Sequence, residues 1–293
     1  MPYETTKQTL ETTAEVTAQN ADPYLMDKKD FTAAGEVLGK GSFAKVIKVV
    51  FRGSEAALKI AKKKNVATAK HEKKIMQDLT DFHSACIVQF LGYMSCEGRY
   101  VIAMEYMPNG SIEHRIAASQ EPLPWSLRFQ WITKITKALV FLHENDVVHR
   151  DIKSANILLD KDLNPKISDF GCAVKMSSGR LLEGLFGTPL WMAPEIFAQQ
   201  PYGKEVDVYS MSITIWEIVS WKRAHTNKDF LSLAQAVIQG ERPKIPANTP
   251  PKIAKYITLG WAKRPDDRPS ASELSLRLEQ NADEILGASA LKF

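Results

Sequence analysis

VVHRDIKSANILLD, residues 147–160, followed closely by KISDFGCA, residues 166–173, places a distinctive set of polar groups between apolar runs. Asp151, Lys153 and Asn156 stand close together, and Asp169 follows the next short run. Carboxylate and amide oxygens are the hard donors that Mg²⁺ takes. A further carboxylate beside a phosphoryl group in transfer accepts the proton of the attacking hydroxyl. Any one of these residues alone is an ordinary loop polar group. All of them, in this order, are hard to explain as surface decoration.

Upstream, GKGSFAKV at residues 39–46 has the look of a phosphate-cradling loop. Gly39 and Gly41 lack a Cβ, so the backbone can approach a phosphate closely. Lys40, Ser42 and Phe43 complete the turn, and Ala44 stands where such a loop usually carries a third glycine. By itself the octapeptide reads equally well as a hairpin without a ligand. Lys59 follows in AALKI, between Leu58 and Ile60, and Glu72 comes later on an expected helix. An ammonium there would hold phosphate oxygens, with Glu72 orienting it; a solvated strand lysine is the plainer reading.

The surrounding pattern divides the chain. FTAAGEVLGK, AKVIKVVFRG and SEAALKIAK are short, β-branched or alternating runs broken by Gly and charged turns, which predicts strands. Ala69, Glu72, Lys73, Met76 and Leu79 share one helical face. CIVQFLGYM and RYVIAMEYM predict two more strands around Glu97 and Gly98. After MEYMPNGS the pattern turns helical. Leu127, Trp131, Ile135, Leu139 and Leu142 mark a long amphipathic helix, and VDVYSMSITIWEIVSW is apolar nearly all round, as a buried helix is. Three further helices are expected in DFLSLAQAVIQG, PPKIAKYITLGW and SASELSLRLEQ. Residues 1–28 are Thr-rich, poor in apolar side chains, and expected to form a mobile tail; residues 284–293 are expected to be a short C-terminal tail.

The 293 residues are 44% hydrophobic and 25% charged, with a formal net charge of +4, ordinary for a soluble protein. Nothing there calls for a nucleic-acid surface, and no apolar run is long enough for a membrane segment. Cys86, Cys96 and Cys172 show no metal-ligand spacing and are expected to be buried thiols in a reducing compartment. MPYETTKQTL has no signal pattern, and Pro2 removes the glycine that myristoylation needs. The expected location is cytoplasmic, with the nucleus also open to the chain, and the expected state is a monomer.

Taken together these motifs closely resemble the eukaryotic protein kinase family, from about Phe31 to about Gln280. HRDIKSAN matches the catalytic loop, DFG at 169–171 the metal-binding motif, and MAPE at 192–195 the end of the activation segment. The resemblance implies an α+β bilobal fold over 29–283. A five-stranded antiparallel sheet with one helix would fill about 29–105 and a mainly helical lobe about 108–283. It implies ATP and Mg²⁺ as cofactors. It implies Asp151 as catalytic base, Lys153 as stabiliser of the γ-phosphoryl, and Lys59, held by Glu72, on the α- and β-phosphates. Asn156 and Asp169 would hold the metal, Glu195 would pair with Arg268, and Asp207 would brace the catalytic loop. Leu38, Val46, Ala57 and Leu158 would enclose the adenine, beside Met104 as gatekeeper and the backbone of Glu105 and Met107.

Lys153 and Thr188 resemble serine/threonine kinases, while DVYSMSITIWE and WAKRPDDRPS are similar to the tyrosine-kinase-like group. The expected activity is transfer to Ser/Thr hydroxyls of protein substrates in signalling, with dual specificity and a pseudokinase scaffold as alternatives. Ser177 and Ser178 are candidate phosphosites, with Arg150 the type of residue that meets a loop phosphate. The short stretch between Lys59 and Glu72 is expected to keep the helix in its ion-paired position. A small-molecule kinase is disfavoured by MAPE and Arg268.

Overall fold

The computed structural model describes residues 22–80, 82, 84–177, 179–224 and 228–290. Ser178 and residues 1–21 therefore lie outside the described residues. The chain divides into two units, one running to Ala69 and adding Phe90–Glu105, the other taking Lys70–Gln89 and everything from Tyr106 on.

In the first unit, strands β1 (Phe31–Lys40), β2 (Ala44–Phe51), β3 (Ser54–Ala61), β4 (Phe90–Cys96) and β5 (Arg99–Glu105) form one antiparallel sheet in the order β1-β2-β3-β5-β4. Alternation puts Val49, Phe51, Ala56, Leu58, Val101 and Ala103 on one face, where they bury with Met26 as the unit's core. The register Val46↔Lys59, Lys48↔Ala57 and Ala57↔Met104 places Val46, Ala57, Lys59 and Met104 on the other. A one-residue slip would exchange the two sets, so the apolar core fixes which face Lys59 occupies.

Residues 22–28, expected within the tail, instead extend this sheet. Leu25 bridges Tyr93 in parallel, Met26 donates to the Tyr93 carbonyl and Tyr93 to that of Tyr24, both at 2.8 Å. The Tyr93 hydroxyl donates to Asp22 Oδ2 at 2.7 Å, and Met26 is 5% exposed. Gly92 makes the approach feasible: a Cβ there would lie 2.7 Å from both Met26 Cγ and the Tyr24 carbonyl oxygen. An edge strand is covered as a result.

Helix α1 (Val66–Thr80) begins after a connector of only Lys62–Asn65 and buries Ala69, Glu72, Ile75, Met76 and Leu79. The stretch CIVQFLGYM is not one strand. Its first part stays with the second unit, where Ile167 donates to the Cys86 carbonyl and Val88 to that of Ile167, and β4 begins only at Phe90.

The second unit is built on helices α2 (Ile112–Ala118), α3 (Trp125–Glu144), α4 (Pro194–Phe197), α5 (Glu205–Ser220), α6 (Phe230–Gln239), α7 (Pro251–Gly260) and α8 (Ala271–Gln280). Side-chain caps start several of them: Ser111 for α2, Asp229 for α6, and a Ser270–Glu273 capping box for α8. Every residue from Val206 to Val219 is buried, so α5 is the axis on which the other elements pack. Small strand pairs carry the loops of interest: β6 (Val147–Val148) with β9 (Val174–Lys175), and β7 (Ile157–Leu159) with β8 (Pro165–Ile167). Beyond α8 the chain does not trail off as a tail. Helix α9 (Ala282–Ala290) follows, Ile285 is 1% exposed, and its carbonyl accepts from the Trp125 indole N–H. The three cysteines are free and only half-buried.

Candidate active site

In the first unit the glycine-containing turn closes on itself where Gly41 N–H donates to the Ala44 carbonyl at 2.9 Å. Phe43 stands at its tip, 64% exposed. Its carbonyl accepts from Lys62 N at 3.0 Å and from Asn65 Nδ2 at 2.9 Å, so the turn is tied to the β3–α1 connector. Ala44 begins β2 opposite Ala61, is buried, and is absent from the residues with positive φ. Extended backbone accepts a methyl without strain. Gly39 pairs with Val46, and Leu38 beside it is exposed. Ala57 and Met104 are buried cross-strand partners, and Lys59 two residues on is half-buried.

In the second unit the loop after β6 is held from α5. The Asp207 carboxylate accepts the backbone N–H of His149 at Oδ2 and of Arg150 at Oδ1, both at 2.8 Å, and lies 3.1 Å from His143 Nε2. Full burial alone would push this carboxyl up; the His143 bond and the neighbouring histidines outweigh it and hold it below the usual carboxylate range. Satisfying two amides from one buried carboxylate lets Arg150 sit at φ 63 without leaving its N–H unpaired.

That bracing sets out four side chains. Lys153 Nζ donates to Asp151 Oδ2 at 2.8 Å and to Thr188 Oγ1 at 2.6 Å. Thr188 donates on to Asp151 Oδ1 at 2.7 Å. Asn156 Nδ2 donates to the Asp151 carbonyl at 2.9 Å and to Oδ2 at 3.0 Å. Both oxygens of Asp151 are thus held in place by charged or polar donors. The Asn156 backbone carbonyl accepts from both Ser168 N and Ser168 Oγ, which ties this loop to the start of the Asp169 turn. Asp169 takes a left-handed conformation, φ 62 and ψ 73, ahead of a tight turn at Phe170–Cys172. A non-glycine residue there needs support from its surroundings. Phe170 supplies part of it, fully buried edge-on against His149 with centroids 5.1 Å apart. His71 on α1 bonds the Ala173 carbonyl at 2.7 Å, so this turn is also fixed to the helix that carries Glu72. Glu72 itself is 2% exposed, Leu158 lies on β7, and Met107 is buried.

These positions can hold a metal with phosphate oxygens. The amide nitrogen of Asn156 is engaged by Asp151, which leaves its side-chain oxygen for a ligand. Mg²⁺ commonly takes one or two protein oxygens and completes its shell with water and phosphate. No cluster of three or more metal-ligating His, Cys, Asp or Glu occurs among the described residues.

Sequence reasoning missed Gly187 and Glu217, and other supports become visible only in the structure. Gly187 has φ 107, and a Cβ there would meet the Arg150 carbonyl oxygen at 2.5 Å, so Thr188 reaches Asp151 only because a glycine precedes it. The Arg150 guanidinium is engaged locally, donating from Nε to the Cys172 carbonyl at 2.7 Å and lying 3.9 Å from the Phe186 ring centroid. Ser177 is exposed, in a turn closed by Arg180 N–H to its carbonyl. Arg268 grips both carboxylate oxygens of Glu195, at 2.6 and 2.8 Å, with both side chains buried. Glu217 on α5 accepts from the Trp191 indole and from Ala224 N, yet burial pushes its carboxyl up to about 7. The GTP and WE pairs in the sequence were the available signals for Gly187 and Glu217.

Among the described residues, no helix is long and apolar enough to cross a membrane. The protein kinase domain family matches residues 32–277. The chain is 35% identical over 282 residues to the dual specificity protein kinase shkD of Dictyostelium discoideum, covering 92% of this chain and 36% of that protein. It is 32% identical over 256 residues to the serine/threonine-protein kinase STY46 of Arabidopsis thaliana, covering 86% of this chain and 44% of that one. A probable LIM domain-containing serine/threonine-protein kinase of Dictyostelium discoideum is 29% identical over 276 residues, 92% of this chain and 42% of that protein. The chain therefore spans less than half the length of these relatives. With a match over most of its length, the chain belongs to the protein kinase domain family.

Proposed function

We propose that this chain transfers the γ-phosphoryl of ATP to serine and threonine hydroxyls of protein substrates. The observation that carries the reading is the Asp151–Lys153–Thr188–Asn156 constellation. Asp151 takes the proton of the acceptor hydroxyl as its oxygen bonds to the γ-phosphorus and the bond to the β-phosphate oxygen breaks, leaving ADP. Lys153, a cation already beside that carboxylate, offsets charge on the transferring group. Mg²⁺, when bound, neutralises the phosphates; Asn156 and Asp169 are its protein ligands in this reading. Lys59, oriented by Glu72, and the backbone of Gly39–Ala44 bind the phosphates. Val46, Ala57, Met104 and Leu158 line the adenine, with Leu38 at its edge, and the backbone of Glu105 and Met107 meets its polar rim. Ser177 is a site for regulatory phosphate. The short Lys62–Asn65 connector supports basal activity, because it gives α1 little slack.

Thr188 favours Ser/Thr acceptors, through its bonds to both Lys153 and Asp151. Transfer to tyrosine as well is the second reading, favoured by the similarity to a protein named a dual specificity kinase. A scaffold without catalysis would require a broken part, and Ala44 is the sole departure from the motif set. The test is transfer of labelled phosphate to a generic protein, followed by phosphoamino-acid analysis, with Asp151→Asn as control. Label on serine and threonine, lost in the control, is the expected result. Label on tyrosine alone, or none above the control, would overturn it.

A further inference from the structure

One end of the first unit's sheet carries a concentrated positive charge. β1 ends at Lys40, and β2 starts with Ala44 and Lys45, its register partner. β3 ends at Ala61 and runs on into Lys62, Lys63 and Lys64, while the β4–β5 turn brings Arg99 opposite Cys96. All six cations are exposed. They share one end because antiparallel pairing aligns the finish of β1, β3 and β4 with the start of β2 and β5. The ends are also tied together: Lys62 N–H donates to the Phe43 carbonyl, and Lys63 Cε would lie 4.0 Å from a Cβ on Gly98.

Glu97 is the one anion in these tips, so the local excess is +5, against +4 for the whole chain. The rest of the protein is therefore close to neutral, and the chain's positive excess sits on this end. The unit's ion pairs Lys48–Glu55 and Arg52–Asp30 lie toward the β2–β3 turn, at the opposite end. Among the described residues no carboxylate pairs with the six cations. Uncompensated charge of one sign raises the local concentration of opposite charge and speeds its capture.

We infer that this row of strand tips docks an extended acidic segment of a partner protein. The shape favours that occupant. Neighbouring strands stand about 4.8 Å apart, so the row of five tips is about 19 Å long, one strand tip deep. An extended chain rising about 3.3 Å per residue covers it with about six residues, and three carboxylates at alternate positions, about 6.6 Å apart, spread along the row. A single-stranded nucleic acid wants a series of aromatic platforms, and a bilayer takes apolar side chains along with the charge. The tips offer only Phe43 of that kind, with Val37 and Leu38 further down β1. The inference rests on charge and register alone and does not depend on phosphoryl transfer.

The test measures anisotropy of a labelled decapeptide of alternating Glu and Ala, titrated with the full chain. A rim variant carries Lys62→Glu, Lys63→Glu and Lys64→Glu. A charge-matched control carries Lys161→Glu, Lys255→Glu and Lys263→Glu, all exposed positions of the second unit. The expected result is saturable binding that weakens at least about tenfold in the rim variant and less than about twofold in the control. It should also fade between about 0.1 and 0.5 M salt. Absence of saturable binding, or an equal loss in both variants, overturns the inference. So does tighter rim-dependent binding to phosphatidylserine vesicles or to a single-stranded oligonucleotide than to the peptide. Phosphate transfer by the rim variant reports separately on the proposed catalysis.

Discussion

The Thr188 hydroxyl donates a 2.7 Å hydrogen bond to Oδ1 of Asp151, joining two residues that lie 37 positions apart. The segment between them leaves the catalytic loop, runs through β7, β8 and the Asp169 turn, and returns through Gly187. Because Lys153 bonds both residues, the three side chains form one closed set. The position of the proposed base is therefore set by the far end of the activation segment as well as by its own loop.

Replacing Thr188 by Val keeps the shape and removes the hydroxyl. Asp151 then loses an Oδ1 partner and Lys153 loses one of its two acceptors. A displacement of the base by an ångström can cost about a hundredfold in rate. The expected outcome is a fall of about that size in kcat, with KM for ATP within about twofold. Thr188→Ser should retain most of the activity. Steady-state kinetics of both variants check the point, and equal loss in the two would assign Thr188 a packing role only.

Glu217 makes a prediction about pH. Its carboxyl, at 4.5 in an ordinary setting, is raised to about 7 in the folded chain, chiefly by burial. A group with a raised acid pKa holds its proton longer folded than unfolded, so the folded state binds more protons between those values. Stability must then fall as pH rises from about 4.5 to about 7, and level off above, the loss amounting to at most a few kcal/mol at about 1.4 per unit. Asp207 acts in the opposite sense. Its depressed pKa gives stability that is present above the ordinary carboxylate range and is lost in acid. Urea unfolding of Glu217→Gln should lack the decline toward neutral pH expected of the native chain. Identical profiles would mean that Glu217 is already ionised throughout that range.

The elements that were legible from sequence are those whose cause is local. Alternation along β1–β3 and the period of α3 depend on neighbours a few residues away. The polar groups of the proposed site were legible because Asp151, Lys153 and Asn156 crowd into one loop. What could not be read is contact between distant segments. Nothing around residues 22–28 says that Met26 will bury, because the space for it is made by Gly92 on another strand. Likewise CIVQFLGYM is continuous in pattern, yet Ile167 claims its first residues and β5 claims the rest. The bonds from Asp207 to His149 and Arg150 span more than fifty positions, so their geometry is a product of the fold.

Gly92 supplies the third prediction. Gly92→Val would put a branched side chain where Met26 Cγ and the Tyr24 carbonyl already lie within 2.7 Å of a Cβ. Overpacking of this kind costs about 1–3 kcal/mol, and here it would push residues 22–26 off β4. Tyr24, which packs on Phe90 at 5.1 Å between centroids, should move with them. Faster hydrogen exchange at the Met26 and Tyr93 amides, with a lower Tm, is the expected result. Unchanged protection at both amides would show that the strap is held by other contacts.

Ala44 is the last test, and it bears on whether the glycine-containing turn is impaired. The residue is 8% exposed, starts β2 opposite Ala61 and has extended backbone, so its methyl causes no local strain. The turn itself closes through the Ala44 carbonyl, which any residue offers. Ala44→Gly therefore removes a small buried side chain and frees the unfolded chain, lowering stability by about 0.5–1 kcal/mol. KM for ATP and kcat should each change less than about threefold, about 0.65 kcal/mol apiece. A large gain in kcat/KM would mean that the methyl obstructs the approach of phosphate to the backbone. In that event the alternative of a binding scaffold, kept quiet by one residue in its phosphate loop, would replace the reading of an active kinase.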